Sequence, residues 1–421
     1  MAKRLLAGLV LLGAMALLGC ARGETGDPGN ATGTTARQGG RVVSDTGGTV
    51  EYWWQYGTTT AYGSASPHAT IETQANTRRD VFTKLTGLQR STTYHVRLCA
   101  QDAQQSGGPG CGQDRTFTTH QFECGDVVTQ DVRLRSTLLC DESFATPGLV
   151  IGADGVDIDL AGFALRGPLQ TFFDSSIPVG IDNTQGFDDL TVHNGTLDRW
   201  GQSVDLSGAS RNVVRNLNTV PGHSGVRIRG GEANEVRQVS LASSRFGAAL
   251  DATGTRGLIV AGSTGSRWIL DATGAVLLSN TIPSGFPFNP CVSVQGTDNR
   301  VRGNTVGGCD PGGIVVRSGS GNRVVANEVS GAPEGSNVEP DGIRVEAFTV
   351  GTIVRDNVAR DNADDGIDVR ATGTTLTGNR ATGNGDFGID AVAGVTDGGG
   401  NTASGNGNVV QCRNVACAPA R

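Results

Sequence analysis

The feature that most constrains this chain is a repeat. Short apolar strands opened by a small residue recur at Gly180-Ile181, Ser203-Val204, Gly225-Val226, Gly247-Ala248, Gly313-Ile314, Gly342-Ile343, Gly366-Ile367 and Gly388-Ile389. Consecutive members lie about 22 residues apart, and the gap after Gly247 is three such steps. A second strand in each unit carries an asparagine in register, as in "NRVRGNTV", "NRVVANEV", "TIVRDNVA" and "TLTGNRAT", which place Asn304, Asn327, Asn357 and Asn379. Strands this short cannot bury their apolar stripe alone. Stacking the units buries it continuously and lets the asparagines hydrogen-bond in a column. Two or three strands per turn predict a right-handed parallel β-helix of roughly twelve turns over residues 123–421, with "CGDVVTQDVRLRSTLLC" as its first turn and "CRNVAC" closing the far end.

Composition agrees with an all-β chain rich in corners, since 64 of 421 residues are Gly and no Gly-X-Y period explains them. The N-terminus reads as a targeting segment, residues 1–20. Lys3 and Arg4 precede an apolar run from Leu5 to Leu18 that is too short to span a bilayer. It ends in Leu17-Leu18-Gly19-Cys20, which resembles the lipobox of bacterial lipoproteins. That resemblance implies acylation of Cys20, cleavage before it, and an exported chain tethered to a membrane at the cell envelope or surface. The alternative is an ordinary signal peptide with a chance cysteine. The other eight cysteines fall into four local pairs: Cys99 with Cys111, Cys124 with Cys140, Cys291 with Cys309, and Cys412 with Cys417. An even count in an exported chain points to disulfides rather than zinc, because no Cys-x-x-Cys occurs.

Residues 21–35, small and polar, read as a flexible linker. From 36 to 119 aromatic, β-branched strands alternate with polar turns, as in "GGTVEYWWQYGTTTAYG" and "LTGLQRSTTYHVRLCAQDA". This stretch resembles a bacterial fibronectin type III domain. The resemblance implies a β-sandwich with Trp53 or Trp54 in its core, Leu88 and Tyr94 forming a tyrosine corner, and Val96 and Leu98 pointing inward with Tyr94. Such a domain would serve as a spacer, or bind a ligand through aromatics of the Trp53–Tyr62 region. The C-terminal 300 residues resemble parallel β-helix repeat proteins of the NosD and CASH (carbohydrate-binding and sugar-hydrolase) type. That likeness implies the fold strongly and the function weakly, since the scaffold hosts lyases, hydrolases, epimerases, adhesins and inert proteins.

Family signatures sort the candidate sites. "GHSGVRIRG" approaches a polygalacturonase pattern at His223, but one extra residue splits the glycine pair and no lysine follows. "FGIDAV" keeps the aromatic-Gly and Asp390 of a mannuronan epimerase without its Pro and His. A pectate-lyase-like site needs a calcium cluster and a basic residue, and Asp364, Asp365, Asp368, Asp386, Asp390 and Arg370 or Arg344 are the right types. His193, between Asp189 and Asp198, is expected on an exposed strand face. Residues 123–421 hold 33 acids against 23 arginines, a surface that repels nucleic acid. Trp200 and Trp268 are the only tryptophans there to serve sugars, and with no methionine or His-rich tract in the mature chain a copper role is disfavoured.

In register, Arg344, Asp368 and Asp390 should form one outward column and Arg317, Glu346 and Arg370 the next. This predicts exposed ion pairs between turns, Arg344 over Asp368 and Glu346 over Arg370. Asp364, Asp386 and the Asp368–Asp390 pair are left over to hold a cation, calcium by donor type. The leading expectation is a non-catalytic surface protein that binds a polysaccharide or cell-wall glycan along its faces, or serves adhesion or display. Against it stands a lyase, hydrolase or epimerase with a calcium-assisted site on the C-terminal turns. Geometry separates the two: an enzyme needs three or more of these acids and an arginine converging in a groove, walled by the long turns at 167–179, 283–290 and 331–341. A binding rod shows flat faces with paired charges.

Overall fold

The computed structural model describes residues 21–419, except 104–107, 141–145, 169–177, 221–223, 242–246, 284–288, 310 and 334–339. Cys20, His223 and most of the three long turns therefore lie outside the described residues. Those described form strands and turns only, in two compact units divided between Gln121 and Phe122.

The first unit is a nine-strand network, antiparallel except where Arg22 meets Gly110. Arg22–Ala31, Ala36–Ser44 and Thr77–Leu85 make one group, and Gly48–Gly57, Ala69–Thr73, Thr93–Asp102 and Arg115–Thr118 the other. Both groups feed one core: Val42, Val81 and Leu85 from the first, Val50, Trp54, Val96, Leu98 and Phe117 from the second. The Tyr94 hydroxyl accepts the Gln89 N–H at 2.9 Å, and Leu88 is buried nearby. Trp53 is also buried, stacked on His68 at 4.2 Å. Cys99 and Cys111 are bonded.

The stretch expected to be a flexible linker is instead the strand Arg22–Ala31, paired along Ala36–Ser44. Its glycines serve close packing rather than freedom. A Cβ on Gly23 would sit 2.2 Å from the Leu98 carbonyl oxygen, and the Thr25 hydroxyl takes the Leu98 N–H at 3.0 Å. Small polar composition looks the same in a spacer and in a tightly packed strand.

The second unit is a stack of turns. One face is a parallel sheet of 12 strands, from Asp126–Val128 to Ile389–Ala391; the rest is a 22-strand parallel sheet to which most turns give two short strands. Inward residues align through the stack, as Ile314, Ile343, Ile367 and Ile389 do. They make one continuous core that also encloses Trp200 and Trp268, so neither tryptophan is a sugar platform. The expected strand at Gly247-Ala248 is displaced: Leu250, not Ala248, pairs with Val226 and Trp268. One turn there is shorter than its neighbours, which a uniform period conceals. Cys124–Cys140, Cys291–Cys309 and Cys412–Cys417 are bonded.

The asparagine column is fully formed. Asn304 offers its side-chain oxygen to the backbone N–H of Asn280 at 2.9 Å and to that residue's amide at 2.9 Å. Asn327, Asn357, Asn379 and Asn401 repeat the arrangement, each also donating to a backbone carbonyl of the preceding turn. A second column runs Asn362, Asn384, Asn406 and ends on the side chain of Gln411. A buried donor left without an acceptor costs about 1–3 kcal/mol. Asn327→Leu, which takes the acceptor from two donors of Asn304 and the amide donor from the Val301 carbonyl, should lower stability by about 2–5 kcal/mol in urea unfolding followed by circular dichroism. A loss under 1 kcal/mol would mean the column is not a main support.

Candidate active site

The second asparagine column fixes the ground on which the acids stand. Its first two members are each followed four residues on by a strand-opening glycine: Asn362 by Gly366, Asn384 by Gly388. A Cβ on Gly342 would lie 2.6 Å from the Asn362 amide nitrogen, and one on Gly366 would lie 2.6 Å from that of Asn384. Only glycine lets the column pass so near. The residues between asparagine and glycine are thereby pressed into one corner, and they include Asp364, Asp365, Asp386 and Phe387.

At that corner acids stack in line. Asp341 takes the backbone N–H of Asp365 at 3.2 Å, and Asp365 takes that of Phe387 at 2.7 Å. The adjacent strands carry Arg344, Asp368 and Asp390 in register. Asp364, Asp365, Asp368, Asp386 and Asp390 line a cleft of about 350 Å³ together with Arg370, Phe387 and Arg413. Carboxylate oxygens of Asp341, Asp364 and Asp365 lie within 4.8 Å of one another, as do those of Asp365, Asp368 and Asp390.

The expected solvent-facing ladder is corrected on two counts. Arg344 and Asp368 are buried, at 5% and 6% exposed, and Asp390, Glu346 and Arg370 half-buried, only Arg317 being exposed; Asp341 and Asp365, outside the ladder, are buried at 1% and 7%. Ion pairs run along each turn as well as between turns. Arg344 meets Asp341 at 3.3 Å and Glu346 at 3.1 Å, Arg370 meets Asp368 at 2.6 Å, and Arg413 meets Asp390 across the last turn. The reason is crowding. Parallel strands about 4.8 Å apart bring partners on the same strand and on the next turn equally within reach.

Burial sets the proton affinities. It raises Asp341 to about 8, with Asp368 and Asp365 adding repulsion and Arg344 opposing. It raises Asp365 to about 7, against the Phe387 N–H bond and with Asp364 and Asp390 adding to it. Asp368 is also raised by burial, partly offset by Arg370. Asp368 and Asp390 each carry an arginine, whereas no arginine hydrogen-bonds Asp365 among the described residues. The cleft thus holds a carboxyl raised by burial to about 7 beside two carboxyls that arginines bond.

The other expected sites fare differently. His193 is not exposed but 8% accessible, with Nε2 2.7 Å from Asp157 and Asp159 beside its other nitrogen at 3.8 Å. It does face outward, as the alternation requires, but side chains of the preceding turn cover it. Asp189 lies elsewhere, bonded to Arg211 at 2.8 Å, and Asp198 pairs with Arg166 at 2.6 Å. Asp386 belongs to neither tight carboxylate group and instead accepts from Asn408 at 2.9 Å. Sequence reasoning missed Asp341 altogether and gave Arg413 no part. The repeated Asp-Gly-Ile at Asp341 and Asp365 was the available signal for the first.

These turns define the protein's class as a right-handed parallel β-helix. Residues 256–407 match the family model described as a right handed beta helix region. No curated protein matches the sequence. Among solved structures, DFA-IIIase from Arthrobacter chlorophenolicus A6 in complex with GF2 is similar at 17% identity, over 57% of this chain and 69% of that one, with a TM-score of 0.48. Pectate lyase Pel9A aligns at 14% identity over 61% and 72%, TM-score 0.37. The A-module of the Azotobacter vinelandii mannuronan C-5 epimerase AlgE6 aligns at 14% over 70% and 92%, TM-score 0.28. The chemistry below rests on this cleft's own residues.

A carboxyl raised on folding holds a proton that the unfolded chain has lost. Stability therefore falls as pH climbs from the ordinary value of 3.8 toward the raised ones and levels off above them. The melting temperature of the β-helix unit should drop between pH 4 and 8, and Asp341→Asn should flatten that drop. Scanning calorimetry at a series of pH values tests this; parallel curves for the two proteins would refute it.

Proposed function

We propose that the β-helix unit is a carbohydrate-active enzyme that cleaves a glycosidic bond in the acidic cleft. The observation that carries this reading is the convergence of five aspartates and two arginines in one cleft, with Asp365 raised by burial to about 7 beside two carboxyls, Asp368 and Asp390, that arginines bond. Asp365 is the general acid that protonates the leaving oxygen. Asp390, within 4.8 Å of it and so too near to hold a water between them, is the carboxylate that attacks the sugar. Phe387 offers a ring at the cleft wall for a sugar face. A rod that merely binds glycans has no use for a buried acid held near neutrality, which weighs against the non-catalytic reading.

A panel of polysaccharides should include one from which the protein releases new reducing ends. Asp365→Asn and Asp390→Asn should each lower kcat by about 10²–10⁴, with unchanged circular dichroism. Turnover on no glycan, together with glycan retention that neither substitution affects, would return the protein to the binding class. A second reading rests on the two carboxylate groups themselves. An all-oxygen donor set suits calcium, which would displace the shared protons. Unsaturated products that appear only with added calcium would favour a lyase working that way, with Arg370 or Arg344 as base.

The rest of the chain is read as delivery. Four disulfides belong to an oxidising compartment. We propose that acylated Cys20 tethers the protein to a membrane at the cell envelope, that the first unit is a fibronectin type III-like spacer, and that the enzyme is held off the surface. Cys20→Ser should move the protein from the detergent phase to the aqueous phase on phase separation. An unchanged partition would leave an ordinary signal peptide.

A further inference from the structure

The last residues of the stack do more than end it. Gln411 terminates the asparagine column, taking both the backbone N–H and the amide of Asn406 at 3.1 and 2.8 Å. Asn408 reaches Asp386 on the cleft rim. Between Cys412 and Cys417 the chain makes a closed loop, pinned at three further points. The Arg413 N–H donates to the Ile389 carbonyl at 2.9 Å, the Asn414 amide to the Ala391 carbonyl at 2.7 Å, and the Ala416 N–H to Asp397 at 2.8 Å. These bonds set Arg413 directly over the end of the acid column. Its Nε and Nη2 grip the two oxygens of Asp390, and its guanidinium lies 5.1 Å from the centre of the Phe387 ring.

We propose that this disulfide-closed loop is part of the site, and that Arg413 is the positioning residue that orients Asp390 toward Asp365. The inference rests on the cleft being catalytic. In the immediately preceding turn the outward aspartate is held by an arginine of its own strand, Arg370 holding Asp368 two residues away. Asp390 has no such neighbour, because position 392 is valine. The arginine comes instead from the cap, one turn on. A cap that only covered the stack's edge would need the Gln411 bonds and polar backbone, not a bidentate cation over a cleft acid. The same cation acts on the Asp365 proton, since opposite charge nearby favours the ionised form.

The test uses the full chain and two substitutions with separable readouts. Arg413→Gln should lower kcat more than tenfold with KM little changed, and Arg413→Lys should recover part of it. Removing the guanidinium should also move the alkaline limb of the pH–rate profile upward, because Asp365 then keeps its proton longer. A fault of folding alone would reduce the rate at every pH without moving that limb. The paired change Cys412→Ser with Cys417→Ser should shift the limb in the same direction. Carbon-13 carboxyl NMR of Asp365 reads the same shift without any turnover, so the assignment stands or falls separately from the glycan reading. An Asp365 titration unmoved in Arg413→Gln, or moved there but not in the paired serine variant, would overturn the proposal.

Discussion

Everything in the β-helix depends on how its corners satisfy buried backbone donors. A β-helix turns its chain sharply at the same place in every turn, and the N–H groups at the bend face the interior. Here asparagine amides supply the acceptor, turn after turn, each taking a backbone N–H and an amide from the turn below. The arrangement fixes register absolutely, because a slip of one residue would leave a line of buried donors unmade. It also sets local composition. Where the second column passes, the strand-opening position must be glycine, since a Cβ would collide with the amide nitrogen. The acidic cleft follows from that rigidity. Residues confined between a fixed asparagine and an obligatory glycine have little choice of direction, and four of them point carboxylates or a ring into one place.

Much of this is visible in the sequence. The glycine-isoleucine period, the asparagines in register and the four local cysteine pairs lead to the right fold, and the aspartates near the C-terminus to the turns that line the cleft. What the sequence hides is depth. Alternation correctly puts Arg344, Asp368 and His193 on the outward side of their strands, but in a stack with strands about 4.8 Å apart outward does not mean exposed. Asp341 and Asp365 lie in turns rather than strands, so the period says nothing of them, and only their matching Asp-Gly-Ile contexts hint that they align. The N-terminal strand Arg22–Ala31 was hidden for a different reason: the same glycines that suggest a flexible linker permit close packing against Leu98. Trp200 and Trp268 give no sign in sequence of which side of the helix wall they occupy, and they fill the core.

The stacking that supports the fold also creates the chemistry. Identical residues in adjacent turns of a parallel helix lie close together, so repeating an asparagine makes a ladder and repeating an aspartate makes a conflict. The conflict is resolved unequally. Arg370 and Arg413 bond Asp368 and Asp390, while Asp365, hydrogen-bonded only by a backbone N–H, is pushed up by burial to about 7. Acid and base catalysis need such a division between neighbouring carboxyls. It arises here from the repeat itself, with one residue of each kind left where the pattern is broken: Phe387 where a third aspartate would stack, and valine where a third arginine would stand.

The account's central claim is that a carboxyl of this cleft stays protonated at neutral pH, and infrared difference spectroscopy in heavy water reads that directly. The account predicts a carboxylic-acid carbonyl band present at pH 6, lost above about pH 8, and diminished in Asp365→Asn. A spectrum with no such band at pH 6, or one identical in Asp365→Asn, would contradict it.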